Sequence, residues 1–471
     1  MPGPAAFRAF QIFDSSRFCV VGHLGSWSSG TRGGSSEVRE EIDRAARLVE
    51  PDQGRLNRRI FTDEEVYQLE MERIFARCWL FVGHESQVAA PGDFVASLMG
   101  EDPVLVVRDR HGVLRVLLNS CTHKGRTVCV HDQGNTTGFT CPYHGWRFRS
   151  TGELGGVPNS ADAYYGELDK ARLGLRQARV DTYRGLIFAT WDPDAPSLAE
   201  YLGQMTWYLD VALDRGAGGT ELIGPPQRFV VDANWKTGAE NFASDFQHAQ
   251  SIAHASALRV TGGGEPARVT DGVQANPAPG HGLFLFRAQA DRPNTLRSQE
   301  FMVANTPAAP ARLGELRGSG GVDPIAGTIF PNLSFNLMPT IANLRMWMPA
   351  GPERMEVWTW GIVDADVDDD VKARMVASFQ ATFGVSGLVE QDDGDQWQEV
   401  TGAGRGYMTR NGWSSIGMGL GHEFTDPDLP GELGLLISES NARAFYRRWQ
   451  DLLVHDRWED LPATTHRRGA R

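Results

Sequence analysis

Short segments in which apolar and polar residues alternate dominate one part of the chain. Phe94–Met99, Val104–Arg108 and Val113–Leu118 follow one another, separated by turns with Gly or charged residues, and Leu186–Thr190 continues the pattern. A period of two residues is typical of half-buried β-strands. The pattern therefore predicts a small all-β domain at residues 78–197.

Helical patterns flank these strands. Thr62–Glu65 supplies an N-cap followed by acidic residues, and apolar positions continue to about Ala76. We therefore predict an N-terminal helix in residues 55–77 that packs on a larger domain. Residues 198–471 combine helices with strands such as Leu344–Pro349, which indicates an antiparallel sheet flanked by helices. The predicted fold class is α+β.

The N-terminal segment has a different composition. Ser26–Gly30 and Gly33–Ser36 are rich in Gly and Ser, as flexible linkers are. The segment lacks the charged and then apolar pattern of a secretion signal. Residues 1–54 are predicted to be a disordered tail, or upstream sequence added by a misassigned start codon.

Composition narrows the classes of partner. A chain of 471 residues predicts two or three domains. A net charge of −13 argues against nucleic acid and anionic membranes as partners, and no apolar run reaches the ~20 residues that span a bilayer. Five cysteines do not suggest a disulfide framework, so we expect a reducing compartment, the cytoplasm.

Residues 121–146 contain the most specific pattern in the chain. Cys121 and His123 form one Cys-x-His pair, and Cys141 and His144 form a Cys-x-x-His pair. A structural zinc site usually pairs two Cys with each other and two His with each other. Here each loop offers one thiolate and one imidazole, which favours a two-metal centre over a zinc knuckle.

The neighbouring residues support one such centre. With Gly125 and Pro142–Trp146 included, the stretch resembles the Rieske cluster motif of ring-hydroxylating oxygenases. The resemblance implies a [2Fe–2S] cluster in which the two Cys bind one iron and the two His bind the other.

A second group of ligand-type residues occurs in Glu240–His248, which is compatible with a helix. On a helix Asn241, Asp245 and His248 would share one stripe, while His254 would lie roughly 240° away from His248. Both histidines can bind one metal only if the helix breaks between them. The alternative is a pair of structural histidines.

The same oxygenase family offers an interpretation of this second group. Asn234–Lys236 and the residues that follow, through His254, resemble its iron motif, and Glu390–Gly394 supplies a downstream carboxylate. The resemblance implies that His248, His254 and Asp393 bind Fe(II), with Asp392 as the second choice for the carboxylate. Two His and one carboxylate leave positions open for dioxygen.

Two further segments, Gly417–Glu423 and Ser438–Arg443, extend the resemblance, which covers residues 57–458. The chain resembles the large (α) subunit of Rieske aromatic-ring dioxygenases. The resemblance implies a helix-grip (START-like) catalytic domain at residues 198–471, next to the Rieske domain. It also implies a terminal oxygenase that adds both atoms of dioxygen to an aromatic ring, giving a cis-dihydrodiol.

The resemblance further implies how the two centres communicate. Asp245 would bridge His144 of one subunit and His248 of a neighbouring subunit, in an α3 ring or an α3β3 assembly with a small β subunit. Electrons would come from NAD(P)H through a reductase and a ferredoxin, since the chain has no Gly-x-Gly-x-x-Gly motif.

Family position also suggests residues that bind the substrate. These are Asn241, Phe242, Phe383, Leu388 and Val389. Three arginines would suit an aromatic carboxylate as substrate, although arginines in loops are usually only solvated; they are Arg287, Arg292 and Arg297. An aromatic carboxylate and a neutral aromatic hydrocarbon therefore both stay open. Two other outcomes share the cluster motif: a Rieske monooxygenase or demethylase, and a non-enzymatic Rieske electron carrier.

Overall fold

The structure is a computed structural model that describes residues 36–250, 252–254, 269–287, 307–318, 322–338 and 341–462. The strands in these residues are β1 Val49–Glu50, β2 Arg55–Asn57, β3 Leu80–His84, β4 Asp93–Met99, β5 Asp102–Arg108, β6 Leu114–Leu118, β7 Gln133–Asn135, β8 Gly138–Thr140, β9 Arg147–Arg149, β10 Leu154–Gly156, β11 Gln177–Tyr183, β12 Leu186–Thr190, β13 Thr220–Val231, β14 Gly272–Ala278, β15 His281–Arg287, β16 Val322–Ile329, β17 Leu333–Met338, β18 Ile341–Pro349, β19 Met355–Asp364, β20 Trp413–Ser415, β21 Phe424–Asp426 and β22 Leu429–Leu435.

The α-helices in the described residues are α1 Ser36–Ala46, α2 Glu64–Glu70, α3 Ser160–Ala163, α4 Leu198–Leu202, α5 Met205–Leu213, α6 Trp235–Ser244, α7 Gln247–Gln250, α8 Ala309–Leu313, α9 Glu315–Gly318, α10 Asp369–Thr382, α11 Leu388–Ala403, α12 Tyr407–Arg410 and α13 Ser440–Val454. A π-helical turn, Met71–Phe75, continues α2. Within the described ranges no helix is long and apolar enough to cross a bilayer.

The first large sheet has the strand order β3-β12-β11-β6-β5-β4-β7. Its central strands pair antiparallel, with Phe94 of β4 opposite Val107 of β5. The strand segments predicted from the sequence overlap β4, β5 and β6. In β5 the residues Val104–Val107 are all buried, because one core covers each face of this strand. A small sheet in the order β10-β9-β8 adds Phe139 and Phe148 to the core that contains Phe94. This part of the chain is all-β.

The second large sheet has the order β13-β19-β18-β17-β16-β15-β14-β22-β21 in the described part of the chain. Helix α6 lies against β15 to β18. The sheet face next to the helix is polar: the Thr328 hydroxyl donates to Ala239 O at 2.7 Å, and Trp347 Nε1 donates to Ser334 Oγ at 2.7 Å. An antiparallel sheet with helices on it, beside an all-β unit, confirms the predicted α+β class.

One side chain joins the two large sheets. Asn332, which is buried, accepts from Phe81 N at 2.9 Å through Oδ1 and donates to Phe81 O at 3.0 Å through Nδ2. The amide thereby replaces a strand neighbour for one residue of β3. This pair of bonds ties the end of the all-β unit to the larger sheet.

The predicted disorder of the N-terminal segment is wrong for residues 36–54. Helix α1 has a buried apolar side formed by Ile42 and Ala45, and it packs against α13. Gln450 of α13 donates to Ala46 O at 2.7 Å. The linker-like composition ends where α1 begins, and an amphipathic helix follows. Residues 1–35 lie outside the described residues.

A buried carboxylate links three helices. Glu70, at the end of α2, accepts from Lys236 Nζ at 2.6 Å, from Trp235 Nε1 at 2.8 Å and from Trp449 Nε1 at 2.7 Å. Glu70, Lys236 and both indoles are essentially inaccessible to solvent. Because every partner is buried, each depends on the others for its hydrogen bonds.

We expect Glu70→Gln to lower stability markedly. The substitution leaves Lys236 with an uncompensated buried charge, which costs about 3–5 kcal/mol. At roughly 2–4 °C per kcal/mol, the melting temperature should fall by about 6 °C or more. Thermal unfolding of the metal-loaded wild type and variant measures this change in melting temperature. Glu65→Gln removes an exposed ion pair with Arg44 and should change stability by less than about 1 kcal/mol. Equal melting temperatures for the two variants would contradict the role of Glu70.

Candidate metal centres

The two Cys-His loops at the tip of the all-β unit have the same backbone conformation. The amide of Gly125 donates to Cys121 O at 2.8 Å, and the amide of Gly145 donates to Cys141 O at 3.0 Å. Both glycines have φ of +72°, a left-handed conformation that favours glycine. Each Cys is therefore followed by a tight turn that brings its His back beside it.

The thiols of these loops face inward and the imidazoles outward. Cys121 and Cys141 are 4% and 2% exposed, and their loops place the His123 and His144 rings 4.6 Å apart, with His123 half-buried and His144 exposed. Trp146 stacks on His123 with ring centroids 4.8 Å apart and planes at 6°. Desolvation and the neighbouring His144 lower the pKa of His123, which favours the neutral imidazole that binds metal.

The donor set in these loops fits a cluster better than a single ion. In the described ranges, only His248, His254 and Asp393 bring three ligand atoms within 4.8 Å of one another. Two thiols and two imidazoles that are spread more widely suit a dinuclear centre. His123 Nδ1 is buried without a hydrogen-bond partner among the described residues, as expected of a metal ligand.

The second group does not form the single helical stripe that the sequence suggested. Helix α6 ends at Ser244, and Asp245 has φ of −92° and ψ of 78°. His248 lies on the separate short helix α7, and His254 lies in a turn beyond it. The expected stripe of Asn241, Asp245 and His248 on one continuous helix is therefore wrong. The chain turns twice, and those turns let both histidines reach one point.

Three side chains converge at that point. His248 Nε2 and His254 Nε2 lie 3.2 and 3.1 Å from Asp393 Oδ1, and the two rings are 4.9 Å apart. Asp393, on α11, is 2% exposed, and its Oδ1 makes no hydrogen bond of good geometry within the described residues. An ion between the three groups would satisfy this oxygen. Two imidazoles and one carboxylate form the donor set of a mononuclear Fe(II) site.

The other nitrogen of each imidazole faces a second carboxylate. His248 Nδ1 lies 3.4 Å from Asp245 Oδ2, and His254 Nδ1 lies 3.3 Å from Asp392 Oδ2. Carboxylates in this position fix the tautomer and the orientation of a ligand histidine. The structure therefore gives Asp392 and Asp393 different positions: Asp392 lies behind an imidazole, and Asp393 faces both Nε2 atoms.

The protonation states of His248 and Asp393 show that a metal ion must displace a proton when it binds. Burial opposes charge on His248, but Asp245 and Asp393 raise its pKa to about 10. Burial likewise opposes ionisation of Asp393, but the two imidazoles lower its pKa to about 2. Without metal the carboxylates hold a proton on His248, so metal binding must release it.

The residues expected to bind substrate are distributed unevenly. Phe242 and Phe383 are buried, and each ring stacks on the guanidinium of Arg345. Leu388 is 36% exposed. Asn241 and Val389 are half-buried. Of the three arginines considered earlier, Arg292 and Arg297 lie outside the described residues, as does the side chain of Arg287.

The sequence analysis missed a buried ion pair beside this centre. Arg345 of β18 donates from Nη2 to Glu390 Oε2, and both residues are buried. The sequence did contain one indication of this ion pair: a charged residue, Arg345, stands between Leu344 and Met346 in a mainly apolar strand. Its partner is 45 residues away, so spacing alone does not identify it.

A Rieske-type pair of loops on an all-β unit, joined to a domain with a two-histidine, one-carboxylate site, defines a two-centre iron oxygenase. Residues 78–182 match the Rieske [2Fe-2S] domain family, and residues 198–454 match the family described as "Ring hydroxylating alpha subunit (catalytic domain)". The chain belongs to the family of Rieske aromatic ring-hydroxylating dioxygenase α subunits. It carries a [2Fe–2S] cluster and a mononuclear iron.

Named relatives agree with this family. The α subunit of biphenyl 2,3-dioxygenase from Rhodococcus jostii (strain RHA1) is 41% identical over 89% of this chain and 93% of its own length. The α subunit of benzene 1,2-dioxygenase from Pseudomonas putida is 38% identical over 88% of this chain and 95% of its own length. The crystal structure of naphthalene 1,2-dioxygenase from Rhodococcus sp. bound to indole superposes with a TM-score of 0.82 at 36% identity, covering 90% of this chain and 99% of that chain.

The comparisons also separate the alternatives. The structure of a quaternary ammonium Rieske monooxygenase is only 19% identical, with a TM-score of 0.62 over 86% of this chain and 97% of that chain, and it shares the fold alone. The dioxygenase prediction is confirmed over the monooxygenase alternative. The matched catalytic domain excludes a simple electron carrier.

We expect the two adjacent aspartates to respond differently to substitution. Asp393→Asn should remove the mononuclear iron and lower the iron content from about three to about two per chain. Asp392→Asn is the matched control: it should keep that iron with roughly 10–100-fold weaker affinity. Iron analysis, with the visible absorption of the cluster as an internal reference, distinguishes them. If Asp392→Asn alone lost the iron, the carboxylate assignment would be reversed.

Proposed function

We propose that this α subunit dihydroxylates an uncharged aromatic hydrocarbon to a cis-dihydrodiol. The observation that carries the proposal is the buried cation beside the iron site: Arg345 is already paired with Glu390 and stacked between Phe242 and Phe383. A carboxylate on the substrate would need a free cation in this low-dielectric setting. The relatives named for biphenyl, benzene and naphthalene support the same substrate class.

We also propose the ligand assignments. Cys121 and Cys141 would hold one iron of the cluster, and His123 and His144 the other. His248, His254 and Asp393 would hold the mononuclear iron, and the distances among their ligand atoms support this. When bound, the two centres supply electron storage and dioxygen reduction.

The surrounding protein would orient the reactants. Asp245 and Asp392 keep the imidazoles of His248 and His254 turned toward Asp393. The buried Phe242 and Phe383 rings keep water from the centre and leave apolar surface suited to a flat ring. For the substrate contacts of Asn241, Leu388 and Val389 we rely on family position.

Asp245 is proposed to connect the centres of two subunits. One of its oxygens faces His248 Nδ1, while its side chain is still 42% exposed in the isolated chain. A neighbouring copy could therefore present its His144, which is exposed on the tip of the all-β unit. Other carboxyl groups lie close to Asp245: burial and the charges of Asp245 and Glu439 raise the pKa of Glu240 to about 8.

The assembly and the electron donors follow from this proposal. We propose the assembly that the family resemblance implies: an α3 ring, alone or as α3β3 with a small β subunit. The name of one relative, the large oxygenase component of a naphthalene 1,2-dioxygenase system, supports a multi-component enzyme. We propose a ferredoxin and an NAD(P)H reductase as the electron donors. We also propose a cytoplasmic location. Cys78 and Cys129, which are not proposed cluster ligands, form no disulfide within the described residues, and this supports the location.

The substrate proposal predicts the outcome of single turnovers with ¹⁸O₂. Reduced protein should convert naphthalene or biphenyl to a cis-diol with label in both hydroxyls. Benzoate or phthalate should react at least about tenfold more slowly, because burying an unpaired carboxylate is costly. Mass spectrometry of the products measures both. Equal conversion of charged and neutral rings would contradict the substrate class, and one labelled atom in a phenol would contradict dihydroxylation.

The bridging proposal predicts a specific defect in Asp245→Asn. The variant should keep both metal centres but lose about 100-fold in turnover, because the amide cannot accept from both imidazoles. Iron content, cluster absorption and steady-state turnover are the measurements. Asp194→Asn, in an exposed loop of the all-β unit, serves as the control. Turnover at the wild-type rate in Asp245→Asn would refute the bridge.

A further inference from the structure

Arg345 occupies an unusual place in the catalytic sheet. It lies at the middle of β18, opposite Ser334 of β17 and Thr359 of β19, and its solvent exposure is 0%. Its guanidinium carbon lies 4.4 Å from the centre of the Phe242 ring and 5.0 Å from that of Phe383. The cation thus contacts two aromatic side chains, one on α6 and one just after α10.

The partner of Arg345 lies on the helix that carries the iron carboxylate. Glu390 is 2% exposed and precedes Asp393 by three residues on α11, so the two carboxylates are neighbours on one side of that helix. The charge on Asp393 also favours the charged form of Arg345, whose pKa burial lowers to about 9. The ion pair and the iron carboxylate therefore share one buried region.

Stability alone does not explain this pair. Arg345 Nε and Nη1 and Glu390 Oε1 have no hydrogen-bond partner among the described residues. A buried pair with unmet hydrogen bonds contributes little, and well-packed apolar side chains of similar volume usually serve as well or better. What apolar side chains would lose is the directional hold of a planar guanidinium on a carboxylate and on two rings.

We propose that Arg345 and Glu390 are positioning residues of the iron site. Their ion pair fixes the rotation of α11, so that Asp393 Oδ1 meets both imidazole Nε2 atoms. The same guanidinium sets the spacing of Phe242 and Phe383 beside the centre. The inference rests on the proposed iron-binding role of Asp393, and it adds residues that touch neither the ligand atoms nor the cluster.

The geometry disfavours a role for Arg345 as a receptor for a substrate carboxylate. Glu390 already occupies one of its terminal nitrogens, and the guanidinium also contacts the rings of Phe242 and Phe383. An anion would have to displace Glu390, which has no alternative cation among its described contacts.

The test replaces the pair by apolar residues and measures the iron site directly. In Arg345→Met/Glu390→Met, no unpaired charge stays buried, so the melting temperature and cluster absorption should stay near those of the wild type. The affinity for the mononuclear Fe(II) should fall about tenfold. The electron paramagnetic resonance signal of its nitric oxide complex should broaden, and the product formed per dioxygen consumed should fall at least about twofold.

A second ion pair of the catalytic domain, between Arg215 in the loop after α5 and Asp364 at the end of β19, provides the matched control. Arg215 and Asp364 lie 2.8 Å apart and are 12% and 5% exposed at the side chain, but neither contacts Phe242 or α11 in the described structure. Arg215→Met/Asp364→Met should leave three quantities unchanged: the affinity for Fe(II), the nitrosyl signal (the electron paramagnetic resonance signal of the nitric oxide complex), and the coupling (the product formed per dioxygen consumed). Wild-type values of all three in Arg345→Met/Glu390→Met would overturn the proposal.

Arg345→Lys keeps the inference testable if the double variant does not fold. Lysine keeps the charge opposite Glu390 but lacks the planar group that stacks on the two rings. We expect near-normal iron content with an altered nitrosyl signal and reduced coupling; an unchanged signal and coupling would overturn the proposal. Failure of the underlying iron assignment is distinguishable, since Asp393→Asn would then retain its mononuclear iron.

Discussion

The buried carboxylate of Glu70 is the constraint on which the catalytic half of the molecule depends. It fixes the start of α6 through Trp235 and Lys236, and it fixes α13 through Trp449. The other end of α6 is fixed by α13 as well, because Asn441 Nδ2 donates to Ala243 O at 2.8 Å. A helix that is held at both ends can stop abruptly at Ser244 and still place the following residues accurately.

The two metal centres are placed in opposite ways. The Cys-His loops project their imidazoles to the surface, whereas Asp393 and His254 are buried. An exposed electron store can meet a donor protein, and a buried iron can exclude water from the reaction. The half-exposed Asp245 at the edge of the iron site is where the proposed bridge between subunits would form.

The sequence contained the chemistry of the sites but not their full geometry. The spacing of Cys121, His123, Cys141 and His144 indicates the cluster because short loops fix which donors meet. Short apolar segments separated by turns predicted the all-β unit, but alternation describes its burial only in part. β5 buries the consecutive residues Val104–Val107, because each face of this strand is covered by a different core. The end of α6 was not predictable from local pattern, since Asn441, almost 200 residues later, helps to hold it. The pairing of Arg345 with Glu390 is likewise visible only once β18 and α11 are packed.

The contact between α1 and α13 has a consequence for how the protein is made. Ala46 and Gln450 are 404 residues apart in sequence, yet they are joined by a hydrogen bond. At about 5–20 residues per second, a ribosome needs roughly 20–80 s to synthesise the intervening chain. During that time α1 has α2, which is made shortly after it, as a native neighbour, but it lacks α13. The side of α1 that packs on α13 therefore stays uncovered until the end of the chain has been made.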